Sequence, residues 1–160
     1  TFEVKKHPIT VHVENGRLGD VLDQIVRGMV NYEWEINDGV VNIFPIKGRD
    51  ERFEELMETH VNNFSLEKGK TVFDITSGII RLSAFNGWLR RNNLHFNPAR
   101  TGSSILLDAQ YGRTLDSDMN FSNLSFRQLL NKITAKKRGG WILKRRSISA
   151  NGDEHVDLDI

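Results

Sequence analysis

The chain has 160 residues, of which 38% are hydrophobic and 27% are charged, a composition typical of a folded globular protein and not of a disordered one. Its 22 lysines and arginines nearly balance its 21 aspartates and glutamates, which excludes the strong overall field that draws a protein to nucleic acid or to an anionic membrane. Because the chain has no cysteine, disulfides, zinc–thiolate sites and thiol nucleophiles are also excluded.

Residues 1–48 are predicted to form a first module with the element order β-α-β-β. Alternation of apolar and polar residues across 9–13 predicts a half-buried strand. A helix is predicted to follow, because five apolar residues are spaced so that they share one helix face. These residues are Leu18, Val21, Leu22, Ile25 and Met29.

A β-hairpin is predicted to complete the first module. Asp38-Gly39 lies between the apolar runs 32–36 and 40–44, and Asp-Gly in that setting is a strong signal for a tight turn between two strands. We expect the aromatic residues of these strands to be core residues, and a ligand groove lined by them is the alternative. The aromatic residues are Tyr32, Trp34 and Phe44.

Residues 49–117 are predicted to be a helical connector and a candidate degenerate third module. The apolar stripe of the connector helix comprises Phe53, Leu56, Met57, His60 and Val61. A helix of about 20 residues is predicted next, because residues 71–74 have the pattern of a helix start and apolar residues then recur on two sides. Apolar residues on two sides predict that this is the most buried helix. Strands at 64–66, 94–96 and 105–107 would complete the third module.

Residues 118–160 are predicted to form a second clear β-α-β-β module. Apolar residues within 119–121 predict its entry strand, after which Asn123 is predicted to turn the chain. Residues 125–128 form a capping box, in which the Ser hydroxyl and the Gln side chain satisfy two free backbone amides at a helix start. A strand opens at 141–143, and alternation across 156–160 predicts the last strand.

The helix stripe of the first module recurs 108 positions later in the last one. Leu18, Val21, Leu22 and Ile25 correspond to Phe126, Leu129, Leu130 and Ile133. The recurrence predicts an α+β fold of repeated small β-α-β-β modules, with helices packed on short mixed sheets. Duplication of a small unit favours a binding or assembly protein, because a single active site would usually leave a cluster of reactive residues, and none is evident.

The order of an entry strand, an Asn, a helix stripe with two adjacent apolar residues, an aromatic strand and a Val-rich strand resembles the secretin and TonB short N-terminal (STN) domain. The segments that carry the resemblance are 11–15, 18–25, 32–34 and 40–43 in the first module and 121–123, 126–133 and 141–143 in the last. The resemblance implies tandem envelope modules that pack against one another or against partner proteins and have no catalytic motif residues. The middle segment and an insertion before the final strand depart from the family pattern.

We therefore expect a non-catalytic protein–protein interaction module of the bacterial cell envelope, which binds a protein partner or itself and needs no cofactor. Sheet edges or a helix face would form the contact, because small sheets leave main-chain donors and acceptors free for an added strand. No apolar stretch approaches the roughly 20 residues of a membrane span. Since the sequence begins at Thr1 rather than Met, we expect a trimmed signal sequence and a periplasmic or otherwise exported protein.

A small nucleic-acid-binding protein is the alternative function. Six basic residues flank Trp141, and they are Lys136, Lys137, Arg138, Lys144, Arg145 and Arg146. In a nucleic-acid complex these cations would contact phosphates and Trp141 would stack on a base. We favour a structural role for these residues over nucleic-acid binding. Cations at the end of a helix complement its dipole, and Trp141 corresponds to the core position Trp34.

The C-terminal strand carries four residues of metal-binding type on one face, namely Asp153, His155, Asp157 and Asp159. Carboxylates and imidazole can hold a divalent ion. Alternate strand residues stand about 7 Å apart, so only neighbouring pairs could share an ion and a full site would need ligands from another strand. A solvated edge that discourages strand-to-strand aggregation is the simpler interpretation.

A hydrolase with an unrecognised carboxylate or histidine site is the second alternative. A glycosidase-like carboxylate pair could form on the polar side of the connector helix, which carries Glu51, Glu54, Glu55 and Glu58. A solvated helix face explains these residues without further assumption. The scattered histidines His7, His12, His60 and His95 show no spacing typical of a site. Sequence motifs for acyl transfer and for nucleotide binding are absent.

Overall fold

The computed structural model describes residues 16–29, 31–46, 50–96, 114–137, 139–147 and 154–160. Over these residues the chain is an α+β protein with small sheets, as the sequence predicts. It divides into two compact units, an N-terminal unit Thr1–Asp50 and a C-terminal unit Glu51–Ile160. The strands predicted at 9–13 and 105–107 lie outside the described residues, so a third module in 49–117 stays a prediction.

The N-terminal unit contains helix α1 (Leu18–Gly28) and an antiparallel hairpin of β1 (Tyr32–Asn37) and β2 (Val40–Pro45). At the N-terminus of α1, the backbone N of Arg17 donates a 2.9 Å hydrogen bond to Oδ2 of Asp20, so this backbone amide has a partner. Asp38 and Gly39 form the turn with φ of 51° and 75°. Two consecutive positive φ angles suit the right-handed twist of a hairpin, and the predicted Asp-Gly turn is confirmed.

The C-terminal unit contains four helices and five strands within the described residues. They are α2 (Glu51–Glu58), β3 (His60–Leu66), α3 (Val72–Ile80), α4 (Ser83–Arg91), β4 (His95–Phe96), β5 (Met119–Ser125), α5 (Phe126–Lys137), β6 (Ile142–Ser147) and β7 (Glu154–Asp159). β3 pairs with β5 in antiparallel orientation. A mixed sheet has the order β4-β7-β6, with β4 parallel and β6 antiparallel to β7. The segments 49–117 and 118–160 therefore share both sheets.

Two predictions about strand boundaries in the middle and last segments are wrong. His60 and Val61 belong to β3 and not to the connector helix, because they pair with Ser125 and Leu124 of β5. The ladder hydrogen bonds of that pairing outweigh the helical spacing of the apolar residues. Asn123 does not end the entry strand, since it lies within β5 with a φ of 54°.

The helix predicted from residue 72 is two helices, α3 and α4, interrupted at Arg81 and Leu82. The Asn86 side-chain amide donates to the carbonyl oxygens of both Ile80 and Leu82. The contact with Ile80 satisfies a carbonyl at the end of α3, where helix carbonyls lack partners within the helix, and the carbonyl of Leu82 also accepts from the backbone N of Asn86. A polar side chain that folds back on the chain thus stabilises the break, although the apolar spacing continues across it.

Of the helices that the structure describes, the most buried is α5 and not the helix predicted at residues 72–91. Seven of its residues are buried, namely Phe126, Arg127, Leu129, Leu130, Asn131, Ile133 and Thr134. α5 contacts β5, β3 and α2, so it is covered on more than one side. By contrast Phe73, at the start of α3, is 52% exposed.

Aromatic side chains form the centre of the C-terminal core. The ring of Phe85 lies 5.8 Å from that of Phe126, 6.0 Å from that of Trp88 and 5.7 Å from that of Phe96. Trp88 is fully buried, and its Nε1 donates a 2.6 Å hydrogen bond to the carbonyl of Arg52. Because a buried indole N–H without a partner would be costly, this bond fixes α4 against α2.

Gly78 and Gly87 are expected to respond oppositely to alanine. A Cβ at Gly78 would lie 3.1 Å from Cε2 of the buried Phe64, whereas a Cβ at Gly87 would meet only the mobile end of Arg91 at 3.4 Å. Gly87→Ala should raise the free energy of unfolding by about 0.5–1 kcal/mol through helix propensity, and Gly78→Ala should lower it by about 1 kcal/mol or more through overpacking. Urea denaturation measures both changes, and equal effects would contradict the packing of α3 on β3.

Candidate functional site

Trp34 joins the hairpin of the N-terminal unit to its helix. Its Nε1 donates a 2.9 Å hydrogen bond to Oδ1 of Asp23 in α1. The ring also covers Gly19, where a Cβ would already be 3.8 Å from the indole. Trp34 is half-buried, so it covers one side of the contact between α1 and β1 while part of its own side chain stays exposed to solvent.

The same hydrogen bond recurs in the C-terminal unit. Trp141, directly before β6, donates from Nε1 to Oδ1 of Asn131 in α5 at 3.0 Å. Asp23 and Asn131 are 108 positions apart, the spacing that relates the two helix stripes. In both units, therefore, a helix holds the start of the following hairpin through a tryptophan and an Asx side chain. Trp141 is half-buried and packs against the core.

The two helix stripes differ in how far they are covered. Phe126 is fully buried, whereas Leu18, at the corresponding position, is 62% exposed. Phe126 stacks on Phe85 of α4, and α2 packs beside α5. Within its described residues the N-terminal unit has no second helix, and on its stripe only Leu22 is buried.

One face of the hairpin exposes apolar side chains. Cross-strand pairing places Trp34 opposite Ile43 and Ile36 opposite Val41, so their side chains share a face. We call this set, together with Tyr32, the hairpin face. Ile36 is 61% exposed, Ile43 43% and Tyr32 38%. The prediction that Tyr32 is a core residue is therefore wrong, whereas Trp34 and Phe44 are half-buried.

Exposed apolar side chains are concentrated in the N-terminal unit. Of the seven large hydrophobic residues exposed in the described part of the chain, five belong to it, namely Leu18, Tyr32, Ile36, Ile43 and Ile46. Among the described strands, β1 and β2 pair only with each other. Sheets of so few strands can be extended when an added strand pairs with an edge.

The basic cluster is only partly described. Lys136 and Lys137 lie in the last turn of α5, where cations complement the helix dipole, and the Lys136 ammonium donates to the carbonyl of Asp118. Residues 144–146 belong to β6, but their side chains, like Arg138, lie outside the described set. The indole N–H of Trp141 is already bonded to Asn131. Both Lys136 and Trp141 thus have partners within the C-terminal unit, as a structural role requires.

The candidate metal ligands are divided between described and undescribed residues. His155 and Asp157 lie in β7, whereas Asp153 and the side chain of Asp159 fall outside the described set. No group of three or more His, Cys, Asp or Glu residues that could hold a metal ion occurs in the described ranges. The structure does place His95 next to His155. The spacing of the two histidines in the sequence does not predict this pair, because they lie on parallel strands that are far apart along the chain.

Within the described residues, three of the four acidic side chains of α2 make ion pairs, namely Glu54, Glu55 and Glu58. Glu54 lies 3.0 Å from Nη2 of Arg127, which is 7% exposed, and Glu55 lies 2.7 Å from Nη2 of Arg91. The hydrogen bond from Arg91 lowers the pKa of Glu55 below its usual value. A glycosidase general acid needs the opposite shift, so Glu55 is suited to an ion pair and not to proton donation.

None of the helices in the described ranges combines the length and the apolar character needed to cross a membrane. Each of the two units contains its own helix-to-hairpin contact, made by a tryptophan and an Asx side chain. Comparison with protein-family models, with curated proteins and with solved structures finds no match to this chain.

Proposed function

We propose that this chain is a non-catalytic protein–protein interaction module of the bacterial cell envelope, periplasmic or otherwise exported, built from tandem STN-like β-α-β-β modules. The observation that carries the proposal is the exposed hairpin face of the N-terminal unit. Exposed apolar side chains grouped on one face of a folded unit are typical of a site that binds another protein.

The duplicated helix-to-hairpin contact supports the tandem arrangement. Asp23 and Asn131 accept the same kind of hydrogen bond from a tryptophan that follows them by 11 and 10 residues, Trp34 and Trp141 respectively. In the C-terminal unit the helix stripe is covered by other parts of the same chain. In the N-terminal unit the stripe is only partly covered, which favours the N-terminal unit as the surface that meets a partner.

Strand addition along the hairpin is the proposed binding mechanism. A partner strand would pair through its main chain with the hairpin sheet, and its alternate side chains would pack on Ile36 and Ile43. Both side chains are about half exposed, at 61% and 43%, so removing each from water should contribute about 1–2 kcal/mol. The partner is an envelope protein or a second copy of this chain.

A photocrosslinking amino acid at Ile43 is expected to trap the partner when the full-length protein is expressed in its native bacterial host. The control position is Phe73, which has similar exposure in the C-terminal unit, 52% against 43% for Ile43. We expect an envelope-fraction adduct from position 43 and none from position 73. The adduct mass distinguishes a partner protein from self-association.

The double variant Ile36→Ser with Ile43→Ser should remove binding without unfolding the unit, because both side chains are exposed. Two proteins are compared, both with the crosslinking amino acid at position 32 in place of Tyr32, and only one with the two serine substitutions. The protein with the unchanged isoleucines should give the adduct, and the protein with the two serines should not. An adduct of equal yield with and without the two substitutions would contradict the proposed surface. Recovery of the full-length protein only in the cytoplasmic fraction would contradict the envelope location.

A further inference from the structure

The pairing of β4 with β7 places two histidines side by side. His95 and His155 are direct neighbours in the parallel register, and their ring centroids lie 5.7 Å apart with an interplanar angle of 41°. The next pair, Phe96 and Val156, points to the opposite face, where Phe96 contacts Phe85 and Val156 is fully buried. The two imidazoles therefore lie on the face of the sheet away from the aromatic core.

We propose that His95 and His155 form a binding site for a divalent transition-metal ion such as Zn²⁺, Ni²⁺ or Cu²⁺. An ion about 2.0–2.1 Å from one nitrogen of each ring would lie roughly 3 Å from each centroid, which allows centroid separations up to about 6 Å. The observed 5.7 Å is within that limit. Small rotations of the rings would be sufficient to bring one nitrogen of each to the ion.

A second observation at His155 supports the proposal. Its Nδ1 is buried and has no hydrogen-bond partner within the described residues. A buried ring nitrogen without a partner carries a desolvation penalty, which a metal ion bound to that nitrogen would remove. His95 is exposed, so its ring can move toward an ion that arrives from solvent.

The neighbouring residues define the kind of site. Asp157 lies two residues beyond His155 on the same strand face, about 7 Å away, which is too far to share the first coordination sphere without rearrangement. Two imidazoles and water would therefore complete the site, in agreement with the lack of a three-residue cluster in the described part of the chain. Imidazole ligands favour Zn²⁺, Ni²⁺ and Cu²⁺ over Mg²⁺ and Ca²⁺, which prefer oxygen.

Calorimetric titration of the full chain with ZnCl₂ near neutral pH tests the site. Three proteins are compared, namely the wild type, His95→Gln and the control His60→Gln. His60 is an exposed histidine of β3 in the same unit, so its replacement controls for the loss of one imidazole. We expect one ion to bind per wild-type chain, His60→Gln to match the wild type, and His95→Gln to weaken binding at least about tenfold, since even loss of an outer-shell partner weakens metal binding about 10–100-fold.

Long-range ¹H–¹⁵N spectra of the imidazoles locate the ion independently of affinity. The ring resonances of His95 and His155 should both shift with Zn²⁺ and remain unchanged with Mg²⁺. Equal Zn²⁺ affinity in His95→Gln and the wild type would overturn the proposal, because the ion would then be held elsewhere. Absence of Zn²⁺ binding by the wild type, or unchanged His95 and His155 resonances at saturation, would also overturn it.

Discussion

Phe85→Ala is expected to lower the free energy of unfolding of the C-terminal unit by about 3–5 kcal/mol, the usual effect of removing a fully buried aromatic ring. The ring is completely buried and stacks at 5.8 Å on Phe126, with Trp88 and Phe96 also in contact. Truncation would leave a cavity between α4 and α5 that three large rings cannot readily fill. Urea denaturation followed by tryptophan fluorescence measures the change.

The control for this substitution is Phe73→Ala, which removes the same ring from a position 52% exposed. Because that ring is already about half in water, its loss should change the stability by no more than about 1 kcal/mol. Comparable losses at the two positions would show that Phe85 is not the centre of the core. A double-mutant cycle between Phe85 and Phe126 should give a coupling of about 0.5–1.5 kcal/mol for the stacked pair.

Leu130→Ala and Leu22→Ala are expected to destabilise their units by about 2–5 kcal/mol, the range for truncation of a buried leucine. They are corresponding positions of the two helix stripes, and they are 0% and 6% exposed. Leu22 should fall at the lower end of the range. Val21 and Ile25 beside it are half-buried, so solvent and neighbouring side chains can fill the space that the substitution leaves.

Hydrogen exchange read by mass spectrometry assigns each loss to its unit, and Leu18→Ala is the control. Leu18 lies on the same helix as Leu22 but is 62% exposed, so its truncation should change stability by about 0.5 kcal/mol or less. Leu22 and Leu130 should affect partner binding only through unfolding. Fully folded variants at these positions that lose the partner would contradict their place in the core.

Local signals in the sequence were sufficient to predict several elements. The Asp38-Gly39 turn, helix α1 and the two later helix starts all occur as predicted. At one start the backbone N of Thr71 donates to Asp74 at 2.8 Å, and at the other Ser125 donates to Gln128 at 3.0 Å. Each of these contacts joins residues a few positions apart, so a short stretch of sequence is sufficient to predict it.

Contacts between distant segments decided the remaining features. β3 pairs with a strand more than 50 residues away, and this pairing removed His60 and Val61 from the predicted connector helix. The neighbours His95 and His155 are brought together in the same way by a crossover between strands. No spacing rule along the chain reports which strands will pair, because pairing depends on how the whole sheet is assembled.

The sequence by itself determined the α+β composition, the main helices and hairpins, and the recurrence that relates the two helix stripes. Only the tertiary structure decided which stripe is covered. Phe126 is enclosed and Leu18 is 62% exposed although they occupy corresponding positions. The physical reason is that periodicity defines an apolar face, whereas burial requires a second surface packed against that face, and that surface comes from elsewhere in the fold.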